Sequence, residues 1–207
     1  MVGWSLPILL LFSSGAIQAA PLNYRALRYT GVIAQTAWYT CGPAAVATLL
    51  SQFFAMPVTE ADVLRLAAGA MRASGRDPEE GISALALQRA METFGLPVRG
   101  YRVSVPGLRE YFLRGGLPVI AHVTAPELHY IVIVGSTGDY AVVADPSWGR
   151  RVVRWHELIA DKGFDGVILV PLPAGDQEAT ARARQAEVVA WANARLAQLD
   201  FLGRMWP

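Results

Sequence analysis

A single cysteine at the start of a predicted helix is the residue of this sequence best suited to nucleophilic chemistry. Cys41 is the only cysteine in 207 residues, and Gly42 and Pro43 follow it directly. Apolar residues at helical spacing from Val46 onward predict that a buried helix begins near Pro43, a residue that the first helical turn tolerates. The sulfur would then lie at the positive end of the helix dipole, which favours a thiolate over a thiol.

An oxyanion hole is predicted beside this cysteine. Gln35 precedes Cys41 on a turn and carries a side-chain amide, and Cys41 contributes its own main-chain N–H. Two donors of this kind stabilise the negative oxygen that forms when a thiolate attacks a carbonyl. We therefore expect Gln35 to complete the oxyanion hole.

Three histidines are candidates for the general base that a catalytic cysteine needs. His129 precedes the apolar run YIVIVG, so a rigid strand would present its imidazole at the end of a sheet. His122 lies inside the run VIAHV, and His156 lies on a predicted helix; both positions are more typical of structural histidines. Position therefore favours His129 as the base.

An aspartate at a predicted hairpin would orient this base. Asp145 ends the strand that follows His129 and begins the turn DPSWG. A hairpin there brings the carboxylate beside the imidazole, where it would accept the Nδ1–H and stabilise the imidazolium. The sequence therefore predicts a triad of Cys41, His129 and Asp145. It predicts no metal or other cofactor, since no cluster of His, Cys and Asp has ligand spacing.

Three motifs give the sequence a resemblance to a known family. Gln35 with CGPAAVATLL from Cys41, HYIVIVG from His129 and ADPSWG from Ala144 resemble the motifs of the bacteriocin-processing (double-glycine leader) cysteine peptidases. That family is papain-like, and the resemblance covers residues 35–170. One position departs from the family pattern: Thr40 stands where many relatives have an acidic residue.

The resemblance implies a fold, an activity and a class of partner. It implies a papain-like α+β fold and hydrolysis of peptide bonds after Gly-Gly or Gly-Ala pairs in leader peptides. Stand-alone relatives with a signal peptide are associated with the secretion of extracellular or amyloid-forming proteins. The expected partner is therefore a peptide or protein substrate, either a leader peptide or a secreted, amyloid-forming protein.

The elements that must position these residues change in type along the chain. After a short edge strand predicted around Val32, the first half is mainly helical: Thr59 and Asp62 form a capping-box pattern, and a third helix is predicted over residues 81–94. The second half has short β-rich runs at residues 98–103, 117–123, 130–134, 140–144, 150–154 and 166–170. Helices followed by antiparallel strands predict an α+β fold, with the helical half packed on a mainly antiparallel sheet.

Three segments are predicted. Residues 1–19 form a signal peptide, residues 20–172 the papain-like peptidase domain and residues 173–207 a C-terminal helical extension. The extension has an apolar stripe that includes Val188, Ala192 and Leu196, which predicts packing back on the domain. Contact with a partner such as a secretion apparatus, or with a membrane surface, is the alternative.

The N-terminal segment has the pattern of a secretory signal peptide. An apolar core, LPILLLF, is followed by SSG and AIQAA, which predicts cleavage after Ala19. The core is shorter than the ~20 apolar residues that span a bilayer, although no Lys or Arg precedes it. Export to the periplasm is therefore expected, with secretion or an uncleaved N-terminal anchor as alternatives.

Composition excludes several functions. Apolar residues make up 53% and charged residues 17%, so the chain is not of the disordered class. The net charge is +1 with both signs mixed along the chain, which gives no basic face for nucleic acid. In an exported protein a single unpaired cysteine indicates a reactive thiol or intermolecular pairing, since such proteins use disulfides in pairs.

Two other functions stay open on sequence alone. A papain-like acyl or peptidyl transferase, in which an amine replaces water at the thioester, shares the Gln…Cys-Gly start with phytochelatin-synthase-like proteins. A catalytically silent module that binds leader peptides for a secretion system is the second alternative. Degenerate relatives of that kind normally lack the nucleophile or the base, whereas Cys41 and His129 are both present here.

Overall fold

The structure, a computed structural model, describes residues 23–205, so the expected signal peptide at residues 1–19 lies outside the described residues. A short helix, α1 (Tyr24–Arg28), begins this part of the chain. The edge strand predicted around Val32 is wrong. Residues 32–35 are irregular; Val32 packs into the core, and the Ile33 N–H donates to the Thr48 hydroxyl at 2.9 Å instead of to a neighbouring strand.

The first half is helical, as predicted, and side chains cap the starts of some of its helices. Helix α2 (Cys41–Thr48) is buried along its whole length and continues as a π-helical turn, Leu49–Phe53. Thr59 and Asp62 accept each other's main-chain N–H groups at 3.2 Å, which is the predicted capping box of α3 (Glu60–Ala73). Ser83 caps α4 (Ala84–Thr93) through its hydroxyl oxygen. Local sequence thus fixes the starts of α3 and α4.

The second half forms one six-stranded sheet in which all neighbouring strands are antiparallel. Its strands lie in the order β1-β6-β2-β3-β4-β5. They are β1 (Val98–Arg102), β2 (Val119–Val123), β3 (His129–Thr137), β4 (Tyr140–Asp145), β5 (Gly149–Arg154) and β6 (Phe164–Pro171). Two shorter helices connect strands, α5 (Val105–Leu113) and α6 (Trp155–Ala160).

Helices cover both faces of the sheet, and the alternation of β3 separates the two cores. Tyr130 and Val132 belong to the core that includes α2, α3 and α4. Ile131 and Ile133 belong to the core on the other face, with α5 and α6. The predicted α+β class, with a helical half on an antiparallel sheet, is confirmed.

The C-terminal helix α7 (Asp176–Met205) packs back on the domain. Two residues of this helix, Ala181 and Ala192, are fully buried. Gln185 donates to the Val134 carbonyl at 2.7 Å, and Arg184 donates to two carbonyls of the π-helical turn at 2.9 and 3.1 Å. These bonds join the helix to both the sheet and the end of α2.

Among the described residues, no helix combines the length and the apolar character needed to cross a bilayer.

The hairpin between β4 and β5 needs a glycine at residue 149, where the backbone is left-handed and passes close to α1. Gly149 has a φ of +78°, and a Cβ there would overlap the Arg28 carbonyl of α1. Gly138, in the β3–β4 hairpin, has a φ of +54° with open space around it. We expect Gly138→Ala to lower the free energy of unfolding by about 1–2 kcal/mol, the cost of the left-handed backbone alone.

Gly149→Ala should lower the free energy of unfolding further, because its methyl group also meets a main-chain atom. Urea unfolding of both variants beside the wild type measures the difference. Equal losses in the two variants would contradict the proposed close approach of α1 to this hairpin.

Candidate active site

Cys41 lies where the sequence predicts, at the start of a helix. It is the first residue of α2, so its main-chain N–H has no acceptor within the helix. The turn before it is held by Thr40, whose hydroxyl donates to the Ala37 carbonyl and accepts the Ala37 N–H, both at 3.0 Å. Thr40, the residue that departs from the family pattern, therefore holds the turn that presents Cys41.

Close packing fixes the direction of α2. A Cβ at Gly42 would lie 2.9 Å from the Leu87 side chain of α4 and 3.2 Å from the Tyr130 ring of β3. Any larger residue would push the helix away from both neighbours. Gly42 thus lets the cysteine approach the strand that carries His129.

His129 is paired with Asp145 across the sheet. The Nε2 atom of His129, at the first residue of β3, lies 2.9 Å from Oδ1 of Asp145, at the last residue of β4. The predicted pairing is present, but the predicted ring atom is wrong, since the carboxylate meets Nε2 and not Nδ1. This orientation leaves Nδ1 for the side of the ring where Cys41 lies.

The surroundings of His129 favour its charged form. Burial opposes the charge, but the hydrogen bond with Asp145, the negative charge of that carboxylate and the proximity of Cys41 outweigh burial. Together they raise the pKa of His129 to about 9. The imidazolium is therefore the form present at neutral pH, next to Cys41.

Asp145 is a buried carboxylate, 1% exposed, that is satisfied by four groups. Oδ1 accepts from His129 and from the main-chain N–H groups of Ser147 (2.9 Å) and Trp148 (3.2 Å), and Oδ2 accepts from Arg151 at 2.7 Å. Burial alone would raise the pKa of Asp145, but these hydrogen bonds and the two cations hold it below its usual value. The carboxylate therefore stays charged at neutral pH.

The turn after Asp145 is held from outside by α1 and the residue that follows it. Arg28 donates two hydrogen bonds to the Trp148 carbonyl, at 3.0 and 2.8 Å, and the Tyr29 hydroxyl donates to the Ser147 carbonyl at 2.6 Å. Since Ser147 and Trp148 also donate to Asp145, these contacts fix the position of the carboxylate.

Gln35 is docked against the same turn. Its Oε1 accepts from the Ser147 hydroxyl at 2.7 Å, and its main-chain N–H donates to the Pro146 carbonyl at 3.1 Å. Its Nε2 donates one hydrogen to the Ala37 carbonyl at 3.0 Å. A primary amide has two such hydrogens, so one remains for a ligand.

These residues line a cleft with two adjoining halves. Cys41 lines the larger half, of about 620 Å³, whereas Gln35, His129 and Asp145 line the smaller, of about 190 Å³. Both halves share the exposed side chains of Trp38, Glu127 and Leu128. Cys41 is 5% exposed, and it reaches solvent through this cleft.

The structure thus brings Cys41, His129 and Asp145 into one arrangement, with Gln35 docked beside the turn that carries Asp145. Their catalytic roles stay predictions. His156 is exposed on α6 and belongs to neither half of the cleft. Among the described residues, no group of three or more His, Cys, Asp and Glu side chains is placed to hold a metal ion.

Sequence reasoning missed two features of the site. Arg151 binds the far side of the Asp145 carboxylate, and a second histidine pair, His122 Nδ1 to Asp165 Oδ2 at 2.9 Å, lies beside the cleft. His122 lines the same half of the cleft as Cys41. No local signal in the sequence singles out Arg151 from the adjacent Arg150, and none joins His122 to Asp165.

Known proteins resemble this chain in sequence and in fold. A family model described as the Peptidase C39 family matches residues 30–175. A protein of Pseudomonas aeruginosa described as a probable functional amyloid protease, FapD, is 27% identical over 165 residues, covering 78% of this chain and 69% of that one. An uncharacterized protein of Methanothermobacter marburgensis is 31% identical over 142 residues, covering 67% of this chain and 86% of that one.

Solved structures share the fold. A double glycine motif protease from an AMS/PCAT transporter, solved in complex with the leader peptide, is 28% identical with a TM-score of 0.56, over 69% of this chain and 91% of that one. The peptidase domain of Streptococcus ComA, 20% identical with a TM-score of 0.57 over 69% of this chain and 98% of that one, supports the fold alone. Since the family model matches most of the chain, the chain belongs to the Peptidase C39 family and is a papain-like cysteine peptidase.

Proposed function

We propose that this chain is an exported peptidase that hydrolyses a peptide bond after a pair of small residues, such as Gly-Gly, in a leader peptide or secreted protein. One observation carries the proposal: His129 Nε2 lies 2.9 Å from the buried Asp145 carboxylate, and Cys41 is close enough to help raise the pKa of the same imidazole. A base held in this way, next to a nucleophile at a helix start, is what thiol hydrolysis requires.

The first half of the reaction forms a thioester. The Cys41 thiolate attacks the carbonyl carbon, and the oxygen takes up the negative charge between the Gln35 amide and the Cys41 N–H. The imidazolium of His129 gives its proton to the leaving nitrogen as the C–N bond breaks. The C-terminal fragment leaves as a neutral amine, and the N-terminal fragment stays bound to sulfur.

The second half of the reaction regenerates the enzyme. Water gives a proton to the now neutral His129 and attacks the thioester carbon, and the C–S bond breaks to return the thiolate. Asp145 stays charged throughout, because its four hydrogen bonds favour the carboxylate. Its role is to hold the ring through Nε2 and to stabilise the imidazolium.

Small residues at the cut site suit the shape of the cleft. The half with Gln35 and His129 measures about 190 Å³ and is bordered by Trp38, Leu128 and Trp148. Residues without bulky side chains fit such a space most readily. The relative described as a double glycine motif protease, solved with a leader peptide, supports the same substrate class.

Export and an amyloid-related substrate are proposed on two further grounds. The first is the signal-peptide pattern of residues 1–19. The second is the relative described as a probable functional amyloid protease. The exposed apolar side chains of Leu199, Phe201 and Leu202, near the end of α7, are the proposed point of contact with a secretion apparatus.

Loss of the nucleophile should change the set of exported polypeptides in the native host. In a Cys41→Ala strain we expect at least one exported polypeptide to gain the mass of an uncleaved segment, measured by mass spectrometry of periplasmic and secreted fractions. His156→Ala, a histidine outside the cleft, serves as the matched control. An unchanged mass profile in the Cys41→Ala strain argues against hydrolysis. A product whose new C-terminus carries an amide instead of a carboxyl group indicates a transferase.

His129 should make the thiol reactive below neutral pH. Because the pKa of His129 is raised to about 9, its imidazolium is present at pH 6, and a cation beside a cysteine promotes attack by the sulfur. We expect iodoacetamide to label the wild type at pH 6 at least about tenfold faster than His129→Ala, since an ordinary thiol titrates near 8.5. The advantage should disappear as the pH rises through about 9, where the imidazolium is lost.

Cys41 is the only cysteine, so labelling needs no correction for other thiols, and Cys41→Ala gives the blank. Equal labelling rates for the wild type and His129→Ala at pH 6 would contradict the proposal that the His129 imidazolium makes Cys41 more reactive.

Arg151 is a positioning residue that acts through Asp145. We expect Arg151→Ala to lower kcat about tenfold with little change in KM, because the carboxylate loses its 2.7 Å partner and the imidazole is held less firmly. The acid limb of the pH profile should move to higher pH, since a neighbouring cation that lowers the pKa of Asp145 is gone. Cleavage of an internally quenched Gly-Gly peptide measures both effects.

Two variants test the specificity of this effect. Arg151→Lys should recover part of the loss, because it restores the charge, whereas Arg99→Ala on the exposed edge strand β1 should change nothing. If the acid limb of the pH profile of Arg151→Ala does not shift, Arg151 contributes to stability alone and does not act through Asp145.

A further inference from the structure

We propose that His122, held by Asp165, binds the main chain of the substrate in the half of the cleft that contains Cys41. The inference rests on the proposed function and deepens it, because it names how a substrate with little side-chain information is recognised. His122 lines this half of the cleft, and its side chain is 16% exposed. It is separate from the His129–Asp145 pair, which the proposed chemistry already uses.

The imidazole of His122 is fixed before any substrate arrives. Its Nδ1 lies 2.9 Å from Oδ2 of Asp165, and its ring packs against the Tyr130 ring at a centroid distance of 4.9 Å. Asp165 is itself held, since its Oδ1 accepts the Val167 N–H at 3.0 Å and its carbonyl accepts from Arg102 at 2.6 Å. A group held in this way loses little conformational entropy when it binds a ligand.

The free edge of this ring has a defined chemistry. A carboxylate only accepts hydrogen bonds, so the proton of a neutral His122 lies on Nδ1 and Nε2 is an acceptor. Within the described residues Nε2 has no hydrogen-bond partner, and it is not among the buried polar atoms that lack one. Nε2 therefore offers a hydrogen-bond acceptor to the cleft.

A Gly-Gly substrate makes such an acceptor useful. Glycine has no side chain to be recognised, so discrimination must come from the width of the cleft and from hydrogen bonds to the main chain. An extended peptide presents N–H groups at regular intervals, about 3.3 Å of rise per residue. His122 Nε2 accepts one of these N–H groups and so sets the register of the peptide relative to Cys41.

Single amide-to-ester replacements in a substrate peptide test this inference, since an ester has no N–H. The probe is an internally quenched peptide with a central Gly-Gly pair, made in versions that each replace one amide other than the cleaved bond. For wild type we expect one version to lose about fivefold to tenfold in kcat/KM, the size of one hydrogen bond. With the same ester-containing peptide, the kcat/KM of His122→Ala should fall less than about twofold relative to the all-amide peptide.

Further variants distinguish binding from structure. Asp165→Asn keeps an acceptor for Nδ1 and should retain most of the ester sensitivity, and His156→Ala should behave as wild type. If wild type and His122→Ala respond equally to every ester, the inference is overturned while the proposed function stands. If wild type shows no Cys41-dependent cleavage of the all-amide peptide, the proposed function fails and the inference fails with it.

Discussion

A charged carboxylate in the interior is the interaction on which the arrangement of the site depends. Asp145 is 1% exposed, and an isolated charge there would cost several kcal/mol. The protein offsets that cost with two cations, His129 and Arg151, and with two main-chain N–H groups of the following turn. The need to compensate the buried charge of Asp145 therefore holds each of these partners in place, and one of them, His129, is the proposed base.

The architecture supplies these partners from elements that are distant in sequence. Strands β3 and β4 join His129 to Asp145, β5 adds Arg151, and α1 with the residue after it presses the intervening turn into place. Helix α2 enters from the other half of the chain, and the absence of a side chain at Gly42 lets it lie against β3. The sulfur and the imidazole come close because the start of α2 and the start of the inner strand β3 are each fixed by their own packing.

The parts of the site that could be predicted from sequence are those set by local interactions. The helix start at Cys41 and the capping box of α3 follow from short patterns, and the pairing of His129 with Asp145 follows from two strands joined by a tight turn. The ring atom that meets the carboxylate could not be predicted, because it depends on the orientation of a side chain at a strand end.

The other contacts of the site could not be predicted from sequence, because they depend on pairing between distant parts of the chain. His122 meets Asp165 only because β2 and β6, 43 residues apart at this point, are neighbours in the sheet. Arg151 is one of two adjacent arginines on β5, and alternation alone does not tell which of them faces the carboxylate. The other, Arg150, lies over the Trp191 ring of α7 at 3.9 Å.

The last helix, α7, makes the end of the family match differ from the end of the packed core. The family match ends at residue 175, and α7 begins at Asp176. Yet this helix supplies part of the apolar interior through Ala181 and Ala192, and its Gln185 satisfies a carbonyl of the central strand β3. The segment matched by the family model is therefore shorter than the segment that builds the apolar core, and a chain ending at residue 175 would expose an apolar surface of the sheet to water.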